Sequence, residues 1–188
     1  KFEKYWFGNG KNVKIMDIPN AVRQQLIHIA PANIDELKNL KYNRVREPKL
    51  RPYQSDAIGN WLKNDKKGMF EMATGTGKTY TALGCIKELQ KVCKKLVVVI
   101  VCPYQHLVTQ WLQRDIIQFG YQGIPAFGNS NIWSQNLTSS VLDLNNGHIK
   151  LLIIGTTYDT FCSDKFINII NKIDGEVFLI ADEVHNTG

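Results

Sequence analysis

Apolar positions along this chain follow two rhythms. Leu96-Val97-Val98-Val99-Ile100-Val101-Cys102 is an unbroken apolar run, rich in β-branched residues and ended by Pro103. Such a run predicts a strand buried on both faces, as in a parallel sheet covered by helices. The run from Ile149 to Ile154, stopped by Gly155, and the run from Val177 to Ala181 repeat the pattern. Ile124-Pro125-Ala126-Phe127 reads as a shorter strand, and Gly68-Met69-Phe70 as a short apolar one. Between these runs the rhythm turns helical. Ile58, Trp61 and Leu62 share a face of a helix that starts at Pro52, with proline in its first turn. Ala82, Leu83, Ile86 and Leu89 mark a second helix, and Val108, Leu112, Ile116 and Phe119 a third. Helices over 134–144 and 161–173 complete the alternation. Strands alternating with helices predict right-handed crossovers and an α/β domain of three layers with a mainly parallel sheet.

Residues 1–48 read differently. An aromatic Tyr5-Trp6-Phe7, a Gly8-Asn9-Gly10 turn and an alternating stretch from Val13 to Ile18 suggest a short strand. A helix is expected after Pro19, and the basic stretch from Lys41 to Lys49 reads as a linker. We therefore expect a small N-terminal extension over 1–48 and the main domain over 49–188.

Composition narrows the class only a little. The chain is 44% hydrophobic and 21% charged, with net charge +6, which suits a globular domain and permits a polyanionic partner. Its longest apolar run falls far short of the roughly 20 residues of a membrane helix, and the N terminus lacks the apolar core of a secretory signal. Four scattered cysteines without a C-x-x-C pair argue against a zinc knuckle or disulfide framework and fit a cytoplasmic protein.

Chemistry enters at Met72-Ala73-Thr74-Gly75-Thr76-Gly77-Lys78-Thr79, between a short apolar stretch and a helix. Gly75 and Gly77 allow backbone angles that aim successive N–H groups at a polyphosphate, and the helix adds its positive end. Lys78 would reach the terminal phosphates and Thr79 a magnesium ion. Met72 stands where the strict phosphate-loop pattern has glycine. The second motif, Leu179-Ile180-Ala181-Asp182-Glu183, delivers two adjacent carboxylates to the C-terminal edge of a buried strand. Neighbouring residues of a strand point apart, so the two acids can do different work. Asp182 is expected to hold magnesium, and Glu183 to orient and polarise the attacking water.

Arg51-Pro52-Tyr53-Gln54, Thr74-Gly75-Thr76-Gly77-Lys78-Thr79 and Asp182-Glu183-Val184-His185 together resemble superfamily 2 helicases and translocases of the DExH type. The nearest likeness is to the helicase-like ATPase of type III restriction enzymes, whose first motif also often begins with a residue other than glycine. The resemblance covers residues 50–188, one RecA-like domain, and implies ATP and magnesium as cofactors. It implies that Gln54 reads the adenine edge with Arg51 nearby, and that Thr74, Gly75, Thr76 and Gly77 cradle phosphates with Lys78 and Thr79. It further implies nucleic-acid contact by Pro103 and Gln105, with Gln110 and Trp111, and by Thr156 and Thr157 of Ile154-Gly155-Thr156-Thr157-Tyr158. His185 would couple the ATP site to a second domain. The expected function is the ATP-binding domain of a helicase or translocase acting on DNA in restriction or repair, with RNA as a further possible strand.

The chain stops after Thr187-Gly188, before the second RecA-like domain with its arginine fingers. An arginine finger contributes about 10³ to 10⁵ in rate, so weak ATP binding and little hydrolysis are expected of the chain alone. The N-terminal segment resembles the region that joins a phospholipase D-like nuclease domain to such helicases. Three other readings stay open: a duplex translocase that never separates strands, a scaffold that binds nucleotide or DNA without catalysis, and a small-metabolite kinase. Retention of Lys78, Thr79, Asp182 and Glu183 argues against the scaffold, and the Gln54 motif against the kinase.

Overall fold

The computed structural model describes residues 48–73 and 75–184, which belong to a compact unit running from Val45 to Gly188. The strand and helix expected before residue 48, and the roles expected of Thr74 and His185, lie outside the described residues.

The sheet has four parallel strands in the order β2-β3-β1-β4: β1 (Leu96–Cys102), β2 (Ile124–Ala126), β3 (Leu151–Thr157) and β4 (Glu176–Ala181). β1 is buried along its whole length and pairs with β3 on one side and β4 on the other. Its alternation sorts the core into two layers. Leu96, Val98, Ile100 and Cys102 meet α1 (Pro52–Lys63) and α2 (Lys78–Val92) through Ile58, Trp61, Leu83, Ile86 and their neighbours. Val97, Val99 and Val101 face the opposite way, toward α4 (Ser130–Asn145) and α6 (Asp164–Ile170), through Leu137, Val141, Leu144 and Phe166. A strand with period-two side chains and apolar residues at every position requires this cover on both sides. The expected three-layer α/β domain with a parallel sheet is the observed one.

Several elements differ from expectation for identifiable reasons. β3 does not stop at Gly155 but runs on to Thr157. The glycine is there because the following helical segment presses on the sheet: a Cβ at Gly155 would lie 2.6 Å from Val108 Cγ1 and 3.0 Å from Leu112 Cδ1. The third predicted helix is one helical run in three hydrogen-bonding modes. It begins as α3 (Gln105–Gln110), widens to a π turn over Trp111–Asp115 and tightens to a 3-10 turn over Ile116–Phe119, ended by Gly120 at φ 75°. The helix expected over 161–173 is split into α5 (Tyr158–Phe161) and α6, because the Ser163 side chain accepts the Phe166 N–H and starts a new N terminus.

The strand expected at Gly68-Met69-Phe70 is absent; residues 68–73 have no regular structure, and β4 forms the sheet edge. Met69 is 69% exposed while Phe70 packs against the core, and the stretch pairs with no strand. Val177 and Leu179 on β4 are correspondingly half exposed. No helix among the described residues is long and apolar enough to cross a membrane.

Two tests follow from this packing. Gly155→Ala forces Val108 and Leu112 outward, so urea unfolding should show a loss of about 1–3 kcal/mol without loss of secondary structure. Burial first, and then the charge of Glu88, pushes the Cys85 thiol up to about 12. Burial, then Asp182 and Glu183, does the same for Cys102. Both folded values lie above that of a free thiol, about 8.5. Their contribution to stability is complete below that value and drains as pH climbs toward 12. At pH 8 a thiol reagent should modify exposed Cys162 promptly, and Cys85 and Cys102 only as the protein unfolds.

Candidate functional site

The turn before α2 is built on two left-handed glycines, Gly75 at φ 78° and Gly77 at φ 91°. A side chain would be strained at either, and at Gly77 its Cβ would also come within 2.5 Å of Gln54 Nε2. The turn closes on itself. Thr76 Oγ1 donates to the Ala73 carbonyl at 2.6 Å, and Lys78 Nζ donates to the Met72 carbonyl at 3.0 Å. Met72 departs from the glycine of the strict pattern, yet its sulfur accepts the Thr81 hydroxyl at 3.7 Å, which turns the side chain toward α2. The result is a left-handed turn leading into the N terminus of a long helix, a place suited to a phosphate.

Gln54 braces this turn from α1. It is only 4% exposed. Its Oε1 accepts the Arg51 N–H at 2.8 Å, closing the first turn of α1. Its Nε2 donates to the carbonyls of Gly77 at 3.0 Å and Thr76 at 3.4 Å. The Tyr53 hydroxyl adds a 2.6 Å bond to the Thr76 carbonyl, and Arg51 donates to the Tyr53 oxygen at 3.2 Å. Gln54 thus spends its Nε2 on the loop and its Oε1 on the start of α1, and reading an adenine edge would require it to exchange those bonds. Arg51, Gln54 and the Gly75–Gly77 turn nonetheless line one small cavity of about 220 Å³, with Tyr80 on its wall.

Lys78, Thr79, Asp182 and Glu183 line a second cavity, of about 900 Å³. Asp182 leaves β4 with its N–H bonded to the Val101 carbonyl at 2.9 Å. Two donors orient its carboxylate: the Trp111 indole N–H reaches Oδ2 at 2.7 Å and the Glu183 N–H reaches Oδ1 at 3.0 Å. Glu183 itself is left-handed at φ 53°, a strain of order 1–3 kcal/mol of the kind that functional sites hold. The threonine hydroxyl and the aspartate carboxylate are hard oxygen donors. Magnesium takes few of these from protein and completes its octahedron with phosphate oxygens and water. Among the described residues no cluster of three or more His, Cys, Asp or Glu could cage a metal alone. The donor set therefore fits a magnesium ion shared with a nucleotide.

Residues 47–188 match the family described as the type III restriction enzyme, res subunit. The chain belongs to that family. Two solved structures share the fold. One is a nuclease-deletion mutant of the Type ISP restriction-modification enzyme LlaGI in complex with a DNA substrate mimic. It is 25% identical with a TM-score of 0.59, over 73% of this chain and 15% of that one. The other is the ATP-dependent Type ISP restriction-modification enzyme LlaBIII bound to DNA. It is 24% identical with a TM-score of 0.57, over 74% of this chain and 11% of that one. The chain thus spans about a seventh or less of the length of these relatives. No curated protein matches it significantly.

Within this res-family domain the residues expected at nucleic acid fall into two groups. Pro103 and Gln105 follow β1 at the rim, with Gln105 exposed, and between them Tyr104 is 57% exposed and stacked on His106. Thr156 is fully buried, its hydroxyl donating to the Ala126 carbonyl at 2.8 Å, and Thr157 is 8% exposed with its hydroxyl bonded to Thr160. In this structure the threonine side chains hold the sheet and the next turn together. Trp111 needs a correction. Expected beside Gln110 at the nucleic-acid backbone, it is 3% exposed and bonded to Asp182 instead. An indole with one apolar body and one donor is drawn to a buried carboxylate in this way. The sequence shows Trp111 and Asp182 only as separate motifs, and nothing in their spacing announces the bond; the same is true of Tyr53 and Thr76.

Gln54→Ala removes a buried brace and leaves loop carbonyls without their donor. It should lower stability in urea unfolding by about 1–3 kcal/mol. Tyr53→Phe, at an exposed bond, should have a smaller effect.

Proposed function

We propose that this chain is the ATP-binding domain of an ATP-dependent helicase or translocase that works on DNA. The observation that carries the reading is the meeting of the Lys78–Thr79 helix start and the Asp182–Glu183 strand end around one cavity. Membership of the res-subunit family supports it. The DNA-bound state of the LlaGI relative favours DNA as the partner. A restriction or repair setting, a cytoplasmic location and further domains, a second RecA-like domain and a nuclease among them, belong to the same proposal.

In this reading each residue has a physical task. The left-handed turn offers backbone N–H groups to the phosphates, and Lys78 exchanges the Met72 carbonyl for a terminal phosphate oxygen. Thr79 and Asp182 would hold magnesium, which when bound neutralises charge developing on the phosphates. Glu183 holds the attacking water and draws on its proton. Arg51 and Gln54 border the cavity on the other side of the loop, where the base would lie. Phosphoryl transfer needs little covalent help from protein, so placement of charge accounts for most of what these groups do.

Equilibrium binding of ATP with magnesium tests the proposal directly. Lys78→Ala should lose at least tenfold in affinity, as expected when a charge-assisted bond worth about 1.5–3 kcal/mol is removed. Glu183→Gln should still bind. In the longer protein that carries this domain, Glu183→Gln should abolish DNA-stimulated hydrolysis; hydrolysis unchanged by that substitution would sink the assignment.

A further inference from the structure

Two cavities flank the phosphate turn, and the start of α2 sends different residues to each. Lys78 and Thr79 line the larger, of about 900 Å³. Tyr80, the next residue of the helix, lines the smaller, of about 220 Å³, with Arg51, Gln54 and the Gly75–Gly77 turn. Successive residues of a helix point about 100° apart, so one first turn can serve both sides. The Tyr80 ring lies against the turn itself: a Cβ at Gly77 would be 3.8 Å from its Cδ2.

That ring is held in place. Its hydroxyl is bonded to Gln118 Oε1, and the ring packs on Phe119 with centroids 5.6 Å apart. Phe119 in turn stacks on Tyr121 at 6.4 Å. A side chain fixed in advance loses little freedom when a flat ligand arrives on it. Gln54 gives Nε2 and Oε1 to bonds within the chain, so the cavity offers a base chiefly this ring and the exposed cations Lys49 and Arg51. Aromatic rings and arginine planes bind the faces of bases, not their edges.

Resting on the reading of the site given above, we propose that Tyr80 is the base platform of the nucleotide site. Its ring stacks on the face of the base. This contact, rather than the edge of Gln54, supplies most of the affinity that the base adds to the phosphates. The nucleotide then lies across the N terminus of α2, its phosphates on the side of Lys78 and Thr79 and its base on the side of Tyr80.

The test is calorimetric binding of magnesium–ADP and magnesium–pyrophosphate to the full chain. Both ligands present two phosphates, and only one carries a nucleoside. The unsubstituted chain should bind ADP about tenfold or more tightly than pyrophosphate, the scale of one base stacked on one ring. Tyr80→Leu keeps an apolar side chain beside Phe119 and removes the aromatic face. It should bring ADP down close to pyrophosphate while pyrophosphate binds as before. Tyr80→Phe keeps the ring against Phe119 and should lose a smaller part of the ADP preference. A thermal melt checks folding. A readout that needs no substitution is the nuclear Overhauser contact between the base protons of bound ADP and the Tyr80 ring. A folded Tyr80→Leu chain that keeps the ADP preference would overturn the proposal. So would an equal loss for both ligands, which would make Tyr80 only a prop for the turn, or bound ADP without contacts to the ring. Binding of both ligands with no preference for ADP would overturn this proposal alone. Failure of the unsubstituted chain to bind either would overturn the reading of the site, and this proposal with it.

Discussion

Burial of β1 on both faces is the constraint on which the rest depends. A strand with Leu, Val, Ile and Cys at every position has no face to spare for water, so it must sit inside a sheet and between helical layers. Its two neighbours, β3 and β4, run parallel to it in continuous register. Parallel pairing brings the C-terminal ends of all three strands to one edge. Cys102 with Pro103, Thr157 with Tyr158, and Ala181 with Asp182 therefore become neighbours although they lie far apart in the chain. The chemistry follows from that edge, where open α/β sheets bind their ligands.

The phosphate turn is attached to this frame by polar bonds rather than by a strand. Gln54 and Tyr53 reach across from α1 to the carbonyls of Thr76 and Gly77, and the close contact at Gly77 leaves no room for a Cβ. A loop held by side-chain bonds can exchange them for a ligand at little cost, since each net bond contributes only about 1 kcal/mol. Asp182 is treated in the opposite way. Its backbone is locked to β1 and its side chain to Trp111, so its direction is set by packed elements. A turn held by exchangeable side-chain bonds thus stands beside a carboxylate whose direction is set by packed elements, the arrangement the proposed nucleotide site calls for.

The strands and the layer order were legible because their signals are local. An apolar run of β-branched residues needs nothing from elsewhere to declare itself a buried strand, as β1 and β4 illustrate. The two motifs at Gly75–Thr79 and Asp182–Glu183 were legible for a related reason: phosphate and magnesium chemistry demand particular residue types in a particular order. Gly155 was misread as a stop because a glycine kept for close approach of Val108 and Leu112 looks the same in sequence as one kept for a turn. Gly68–Phe70 was misread as a strand because a short apolar run does not say whether it will pair, and this one pairs with no neighbour in the sheet.

What the chain's order of residues determined by itself, then, was the fold class and the two motifs that the fold brings around one cavity. Periodicity and chemical type are properties of neighbours in sequence. What only the tertiary structure decided was who holds those groups. Gln54, expected at the adenine edge, is a buried brace on the turn, Thr156 links β3 to β2, and Trp111, expected at nucleic acid, is the donor on Asp182. Each of these bonds joins residues from separate elements, and its partner is chosen by which side chains the packed helices bring within about 3 Å of one another. That choice is made by the parallel sheet and the helices packed on it, and no pattern along the chain encodes it.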